Sequence, residues 1–162
     1  MRLTLGSHSF DLTTRALVMG VDGAPEALVA QGADIVELAH LDRPIAVPVC
    51  IVASGDHAVE RALAAGAGLV CLRPPTTGAL RRCATSGVAV MVPSGATDEA
   101  AAAGLPPDRI VSEDLLLDVT GEAAPSAATA VGVIRGARIV RTVDIGGARR
   151  VCDVLAAILE SP

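Results

Sequence analysis

The sequence predicts an α/β fold, built as a reduced (β/α) TIM-like barrel with an N-terminal β-hairpin and about seven parallel strands. Short apolar segments alternate with Ala-rich helical segments, which is the pattern of a parallel sheet covered by helices. A unit in which the end of a helical segment is followed by Gly, by Ala and then by a strand recurs along the chain. The chain has 162 residues, fewer than the roughly 200–250 that a complete eight-stranded barrel needs. An open doubly wound sheet is the alternative.

The predicted elements follow from the hydrophobic pattern and from turn signals. The hairpin covers residues 2–12, turns at Gly6-Ser7 and is expected to plug one end of the barrel. The predicted strands are Ala16–Val21, Asp34–Leu38, Ala46–Val52, Gly68–Leu72, Val88–Val92, Arg109–Ser112 and Arg138–Thr142. The predicted helices are Pro25–Gln31, Asp56–Ala65, Thr77–Thr85, Thr97–Ala103, Ser126–Arg135 and Gly147–Glu160.

The internal repeat places glycines at corresponding points. Gly32, Gly66 and Gly136 each follow a helical segment and precede Ala and a strand, and Gly104 belongs to a looser copy. Glycine after the last helical turn supplies a left-handed cap, so the repeat predicts successive αβ units.

Two connections are too short for complete βα units. The stretch between Leu38 and Ala46 has no room for an ordinary crossover helix, and Glu113–Pro125 shows no clear strand and helix pair. We therefore expect one or two βα units to be eroded. A missing strand would leave two sheet edges, to be covered by a loop or by a second subunit, which makes a homodimer a prediction.

Composition excludes several classes of protein. The apolar fraction of 51% and the net charge of −5 fit a single domain over residues 1–162. No apolar run is long enough to span a membrane, and the N-terminus lacks a signal-peptide pattern, so a cytoplasmic location is expected. All 13 basic residues are Arg, no Tyr or Trp is present, and the chain is acidic, which argues against nucleic-acid binding.

The residues that could bind a metal show no recognisable spacing. The four cysteines form no Cys-x-x-Cys pair and are expected to be free, with three of them in apolar runs typical of small buried hydrophobes. His40, Asp42 and the pair Asp56-His57 could in principle act as ligands or as an acid–base couple. The favoured interpretation is that Asp56 caps a helix and His57 is exposed. Neither a metal site nor a cofactor is predicted.

The order of segments resembles the dihydropteroate synthase family, the pterin-binding transferases of folate synthesis. No single motif is strong, but together they cover nearly the whole chain. The similar segments are the hairpin Leu3–Leu12, Val18-Met19-Gly20-Val21, Gly32–Leu38 with Arg43-Pro44, Val47–Ile51, Ala65–Val70 and Gly136–Ile145. The resemblance implies a TIM barrel whose ligands bind at the carboxyl ends of the strands.

The chain departs from the family at the positions that recognise the pterin. The long loop after the family's first strand is absent, Val52 stands where the family has an Asp, and Cys71-Leu72 stand where it has an Asn-Asp pair. The family's Ser-Arg-Lys motif has no counterpart, because the chain contains no Lys. We therefore expect no transferase activity, and a role in small-anion binding or as a partner subunit, in a homodimer or with a full-length paralogue.

The candidate anion site combines Arg141 with Asp144, Gly146 and Gly147 at the start of the last helix, with Arg43 as a second cation. Backbone amides at a helix N-terminus, backed by an Arg, can bind a phosphate. The alternatives are a structural pair in which Arg141 bridges Asp144 or another acid, an active enzyme on a phosphate-bearing small molecule using the same residues, and a purely structural assembly protein. Glu37 is expected to pair with Arg73 or Arg141.

Overall fold

Eight parallel strands form one sheet in the computed structural model, which describes residues 1–40 and 43–160. The sheet is preceded by an antiparallel hairpin of β1 (Arg2–Leu5) and β2 (His8–Asp11). The parallel strands are β3 (Leu17–Gly20), β4 (Ile35–Glu37), β5 (Val49–Ala53), β6 (Leu69–Leu72), β7 (Ala89–Val92), β8 (Ile110–Ser112), β9 (Leu116–Asp118) and β10 (Ile139–Thr142). Their spatial order is β8-β7-β6-β5-β4-β3-β10-β9. The predicted TIM-like barrel with an N-terminal hairpin is confirmed.

The two end strands of the sheet, β8 and β9, follow one another in the chain. A single 3-10 turn, Glu113–Leu115, joins them, so the chain itself connects the two edges of a nearly closed ring. The strand count is eight rather than about seven, because β9 lies inside the stretch where no strand was predicted. Neighbouring parallel strands usually need a crossover of a dozen or more residues, so sequence patterns give no reason to place two strands within nine residues.

Six α-helices cover the outside of the barrel at the predicted places. They are α1 (Pro25–Ala30), α2 (Asp56–Ala64), α3 (Thr77–Ser86), α4 (Thr97–Ala102), α5 (Pro125–Ile134) and α6 (Ile145–Glu160). The connection from β4 to β5 has no helix in its described residues, and the one from β8 to β9 has only the 3-10 turn. In residues 1–40 and 43–160, both short connections thus lack a crossover helix but keep their strands.

The repeated glycines adopt the predicted left-handed conformation. Gly32, Gly66, Gly104 and Gly136 have φ values of 98°, 81°, 98° and 115°. After Gly32, the amide of Ala33 donates to the carbonyl of Leu28 at 3.1 Å, which is the longer hydrogen bond of a Schellman cap. The other three copies repeat this bond, so each of these helices ends and turns into its strand in the same way.

The barrel interior is filled by aliphatic and sulfur-containing side chains together with the hairpin. Leu3, Leu5 and Leu12 belong to the same buried cluster as the inward residues of the strands, and Gly6 lies against Gly68 at the start of β6. The hairpin therefore closes the amino-terminal end of the barrel, as predicted. The strand residues of this cluster are Leu17, Met19, Ile35, Cys50, Leu69, Cys71, Ala89, Met91, Val111 and Ile139.

All four cysteines are free and buried. Cys50 and Cys71 lie inside the barrel, whereas Cys83 and Cys152 belong to the layers between the barrel and its helices. In the described part of the chain, no helix has the length and apolar character that crossing a membrane requires.

The hairpin plug predicts a stability effect. Leu5→Ala removes a side chain that is 0% exposed and leaves a cavity at the closed end of the barrel, so we expect a loss of about 3 kcal/mol in the free energy of unfolding. Urea denaturation followed by circular dichroism measures this loss. Val143→Ala, at a half-exposed valine, is the control and should cost less than about 0.5 kcal/mol. Equal stability of the two variants would show that the hairpin does not fill the barrel.

Candidate functional site: the open mouth of the barrel

A cavity of about 290 Å³ opens at the carboxyl ends of the strands, opposite the hairpin. This end of a (β/α) barrel is where active sites occur. The cavity is lined by Met19, Glu37, Cys50, Val52, Cys71, Arg73, Met91, Leu116, Asp118 and Arg141. Sulfur atoms and aliphatic groups contribute six of these side chains, and two carboxylates and two guanidinium groups contribute the rest.

Strand register brings the charged residues together. Arg141 on β10 lies beside Met19 on β3 and beside Asp118 on β9, and Glu37 on β4 lies beside Cys50 on β5. Paired residues of neighbouring strands point to the same side of a sheet, so this row faces the barrel interior. Pairing of β9 with β10 thus places Asp118 next to Arg141.

Arg141 donates hydrogen bonds to two carboxylates. Its Nε and Nη2 donate to Glu37 Oε2 and Oε1 at 2.9 and 2.7 Å, which is a bidentate pair. Its Nη1 donates to Asp118 Oδ2 at 2.9 Å. The Glu37 side chain is 21% exposed and that of Asp118 is 49% exposed. The Glu37 side of the network is therefore the better buried one.

The network shifts the pKa values of Arg141 and Asp118. Hydrogen bonds from the guanidinium to Glu37 raise the pKa of Arg141 further above its usual range, although burial opposes the shift. Burial alone would raise the pKa of Asp118, but hydrogen bonds from Thr120 and from Arg141 outweigh it and lower that pKa below its usual value. We call Arg141 with Glu37 and Asp118 the charge triad of the mouth.

The thiols of the cavity remain protonated. Burial is the main reason that the pKa of Cys50 lies well above its usual value, and the neighbouring Cys71 and Glu37 add to the shift. Burial also raises the pKa of Cys71, against the opposing influence of Arg73. Arg73 itself donates from Nε to Glu113 Oε1 at 2.8 Å. Since thiolates are the reactive form, these cysteines supply an apolar floor to the cavity, without a nucleophile.

The structure separates the residues of the predicted anion site. Arg141 points into the mouth and pairs with Glu37, for which Arg73 and Arg141 were the two predicted partners. Asp144 instead caps α6: its Oδ1 accepts from the amide of Gly147 at 2.9 Å, and a Cβ at Gly147 would lie 2.1 Å from Asp144 Oδ2. Gly146 lies between Asp144 and Gly147 in the same turn. The amide of Gly147, which was predicted to donate to a bound anion, therefore already donates to the carboxylate of Asp144.

Arg43 lies on an exposed loop and pairs with Glu26 of α1. It shares no hydrogen bond or ion pair with the charge triad of the mouth among the described residues. The anion site as predicted, with Arg141, Asp144, Gly146, Gly147 and Arg43 together, remains a prediction.

Asp118 is the mouth residue that sequence reasoning missed. Its Oδ1 accepts from the amide and the hydroxyl of Thr120 at 3.0 and 2.8 Å, an Asx-type turn that ends β9. The pattern of three leucines followed by Asp-Val-Thr is the signal that could have located both the strand and its acid.

Asp56 and His57 do not line the mouth cavity. His57 is exposed, as predicted, and its Nδ1 lies 3.4 Å from Glu60 Oε2. Asp56 does not cap α2, whose N-cap is Gly55; it accepts a hydrogen bond from Thr76 and pairs with Arg82. Asp42 lies outside the described residues. Within residues 1–40 and 43–160, no three His, Cys, Asp or Glu side chains are grouped so as to hold a metal ion.

The two carboxylates are expected to differ in their effect on stability. Glu37→Gln leaves the guanidinium of Arg141 without its bidentate partner in the better buried part of the network, so we expect a loss of about 2 kcal/mol. Asp118→Asn changes a half-exposed pair and should cost less than about 1 kcal/mol. Denaturant unfolding at pH 7 measures both. A larger loss in Asp118→Asn than in Glu37→Gln would contradict this assignment.

Comparison with solved structures identifies the architecture. Dihydropteroate synthase from Thermus thermophilus, in complex with 4-aminobenzoate, superposes with a TM-score of 0.78 at 18% identity, over 98% of this chain and 100% of that chain. The Yersinia pestis enzyme with a pterine-sulfa conjugate gives 0.79 at 14% identity, over 99% and 100%. The Xanthomonas albilineans enzyme with 4-aminobenzoic acid gives 0.79 at 18%, over 99% and 98%.

No protein-family model matches the sequence, and no curated protein sequence matches it significantly. The likeness therefore lies in the three-dimensional arrangement of the elements, and it confirms at that level the resemblance that the order of segments indicated. The chain has the fold of dihydropteroate synthase.

Proposed function

We propose that this protein binds a small anion in the mouth of its barrel, at Arg141, and does not carry out pterin transfer. The proposal rests on one observation, the unequal way in which the three donor nitrogens of Arg141 are used. Nε and Nη2 are held by Glu37, whereas Nη1 bonds to the half-exposed Asp118. The Nη1 donor is the one that an incoming ligand can reach.

Asp118 can release Arg141 at modest cost. Its Oδ1 keeps two hydrogen bonds from Thr120 when Oδ2 gives up Nη1, and solvent can reach Oδ2. An anion such as phosphate would then replace Asp118 on Nη1, while Glu37 continues to hold the guanidinium in place. In this arrangement Arg141 is the ligand-binding residue, Glu37 positions it, and Asp118 competes with the ligand.

Asp144, Gly146 and Gly147 support the site in this proposal. Their turn begins α6 directly after β10, the strand that carries Arg141. Since Asp144 already accepts from the amide of Gly147, these residues hold the end of the strand and the start of the helix, without direct contact to the anion.

The resemblance places the family's pterin-binding residues at positions where this cavity presents apolar side chains. Val52, Cys71 and Met91 present apolar or protonated side chains to it, and the chain contains no Lys. Each unpaired donor or acceptor of a buried ring costs about 1–3 kcal/mol. Several such losses remove the binding energy that transferase chemistry would need in its transition state. This supports a binding role over an active transferase.

Anion binding is tested by calorimetry with inorganic phosphate at pH 7.5. We expect the wild type to bind, Asp118→Asn to bind roughly five- to tenfold more tightly because the competing charge is gone, and Arg141→Lys to lose most of the affinity because the fork is gone. Arg81→Ala, an exposed Arg on α3, is the matched control and should leave binding unchanged. Absence of phosphate binding in both the wild type and Asp118→Asn would refute the proposal.

Absence of transferase activity is tested separately. We expect no condensation of dihydropterin pyrophosphate with 4-aminobenzoate by the wild type, measured as product by chromatography, with a known dihydropteroate synthase as the positive control. Product formation that disappears in Arg141→Lys would show an active transferase. Turnover of another phosphate-bearing molecule would favour the alternative of an active enzyme.

A further inference from the structure

Four sulfur-containing side chains line the mouth cavity together. They belong to Met19 on β3, Cys50 on β5, Cys71 on β6 and Met91 on β7, and each residue is at most 3% exposed. The chain has three methionines, and the two that follow Met1 both lie here, together with two of the four cysteines. We call these four side chains the sulfur cluster.

Strand order and register bring the sulfur cluster together. Cys71 is paired with Met91 on the neighbouring strand. Cys50 is paired with Leu69, which comes two residues before Cys71, so the two thiols are diagonal neighbours. Strand β3 lies four positions from β7 in the ring of eight, so Met19 extends from the opposite wall. The interior of an eight-stranded barrel is only wide enough for side chains to fill it, so the four sulfur atoms converge below the mouth.

The spacing of the two thiols does not suit a disulfide. Neighbouring strands are about 4.8 Å apart and two residues along a strand span about 6.6 Å, so the Cα atoms of Cys50 and Cys71 are roughly 8 Å apart. A disulfide requires a Cα separation below about 7 Å. A metal ion that bonds to two sulfurs at about 2.3 Å each allows up to about 4.6 Å between them. The spacing therefore suits an ion between the two sulfurs better than a bond between them.

The chemistry of the sulfur cluster favours a soft ion. Thiolate and thioether ligands favour Cu(I), whereas carboxylate and carbonyl ligands favour magnesium, calcium and manganese. Zinc sites use Cys, His and carboxylate ligands, and among the described residues no three side chains of these types are grouped to hold a metal ion. Two thiols with two thioethers therefore match Cu(I) and do not match Zn²⁺.

We propose that the sulfur cluster binds one Cu(I) ion at the floor of the mouth, with the thiolates of Cys50 and Cys71 as its main ligands and the thioethers of Met19 and Met91 completing the coordination. Each thiol gives its proton to solvent as its bond to copper forms, and no electron is exchanged. One Cu(I) and two thiolates together carry one negative charge. Arg73 lines the same cavity and places a cation near this charge. Burial raises the pKa of Cys71, and Arg73 opposes that increase.

The proposal is tested with Cu(I) alone, under anaerobic conditions, by competition with a colorimetric Cu(I) chelator. We expect the reduced wild type to bind one Cu(I) per chain. Cys50→Ala and Cys71→Ala should each weaken binding at least about a hundredfold, because loss of even an outer-shell partner costs about 10–100-fold in metal affinity. Met91→Leu conserves side-chain volume and removes one thioether, so it should weaken binding roughly tenfold.

The other two cysteines supply matched controls. Cys83 and Cys152 are also buried and free, but they lie between the barrel and its helices. Cys83→Ala and Cys152→Ala should leave the Cu(I) affinity unchanged, and thermal unfolding followed by circular dichroism verifies that every variant is folded. Cu(I) affinity that is insensitive to Cys50→Ala and Cys71→Ala, or Zn²⁺ affinity equal to that for Cu(I), would overturn the proposal.

X-ray absorption at the copper edge identifies the ligands in the wild-type sequence, so this measurement does not depend on the folding of a variant. We expect sulfur neighbours around the copper. In protein labelled with selenomethionine, a copper–selenium contact should appear, because Met19 and Met91 then carry selenium, whereas Met1 is exposed beside the hairpin. Nitrogen or oxygen neighbours in place of sulfur, or the absence of a selenium contact, would contradict the proposed site.

The two proposed ligands of the mouth are distinguished by separate measurements. Phosphate binding depends on the guanidinium of Arg141, whereas Cu(I) binding depends on the sulfur cluster. A wild type that binds Cu(I) at the sulfur cluster but does not bind phosphate supports this inference and refutes the proposed function. A wild type that binds phosphate but does not bind Cu(I) has the opposite meaning.

Discussion

Closing a ring of parallel strands with a short chain is the constraint on which this structure depends. A parallel sheet leaves unpaired backbone groups at both edges unless the edges meet or are covered. Here the edges are β8 and β9, and three residues join them. The chain itself therefore bridges the two edges of the sheet.

The same closure creates the polar centre of the mouth. Because β9 pairs with β10 in the observed register, Asp118 lies beside Arg141 and completes a charge triad whose other acid comes from β4. A guanidinium held by a better buried carboxylate is positioned firmly, and a more exposed carboxylate on its third donor can be exchanged. One arrangement thus accounts both for a structural role of Glu37 and for the binding role proposed for Arg141.

The interior of the barrel is packed almost entirely by apolar and sulfur-containing side chains. With one aromatic residue in the whole chain, the barrel is filled by Leu, Ile, Val, Met and Cys and by the leucines of the hairpin. Protonated thiols and thioethers pack well and leave no polar atom unpaired, but they recognise no heterocycle through hydrogen bonds. The fold thus depends on packing, and it does not depend on polar side chains at Val52, Cys71 and Leu72.

Local patterns in the sequence determined much of the fold: the seven predicted strands, the six helices, the hairpin plug and the glycine caps depend on hydrophobic period and on backbone conformation within a few residues. The tertiary structure alone decided the rest. Strand β9 is three residues long and is defined by its pairing with β10, and Arg141 meets Glu37 across 104 residues of sequence. Asp144 was grouped with Arg141 because the two are close in the chain, yet its carboxylate turns to the amides of α6 while Arg141 turns into the barrel. Side chains that are close in the sequence can therefore point in different directions, and side chains that are far apart in the sequence can be in contact. The reason is that strand register decides which residues face the interior of the barrel.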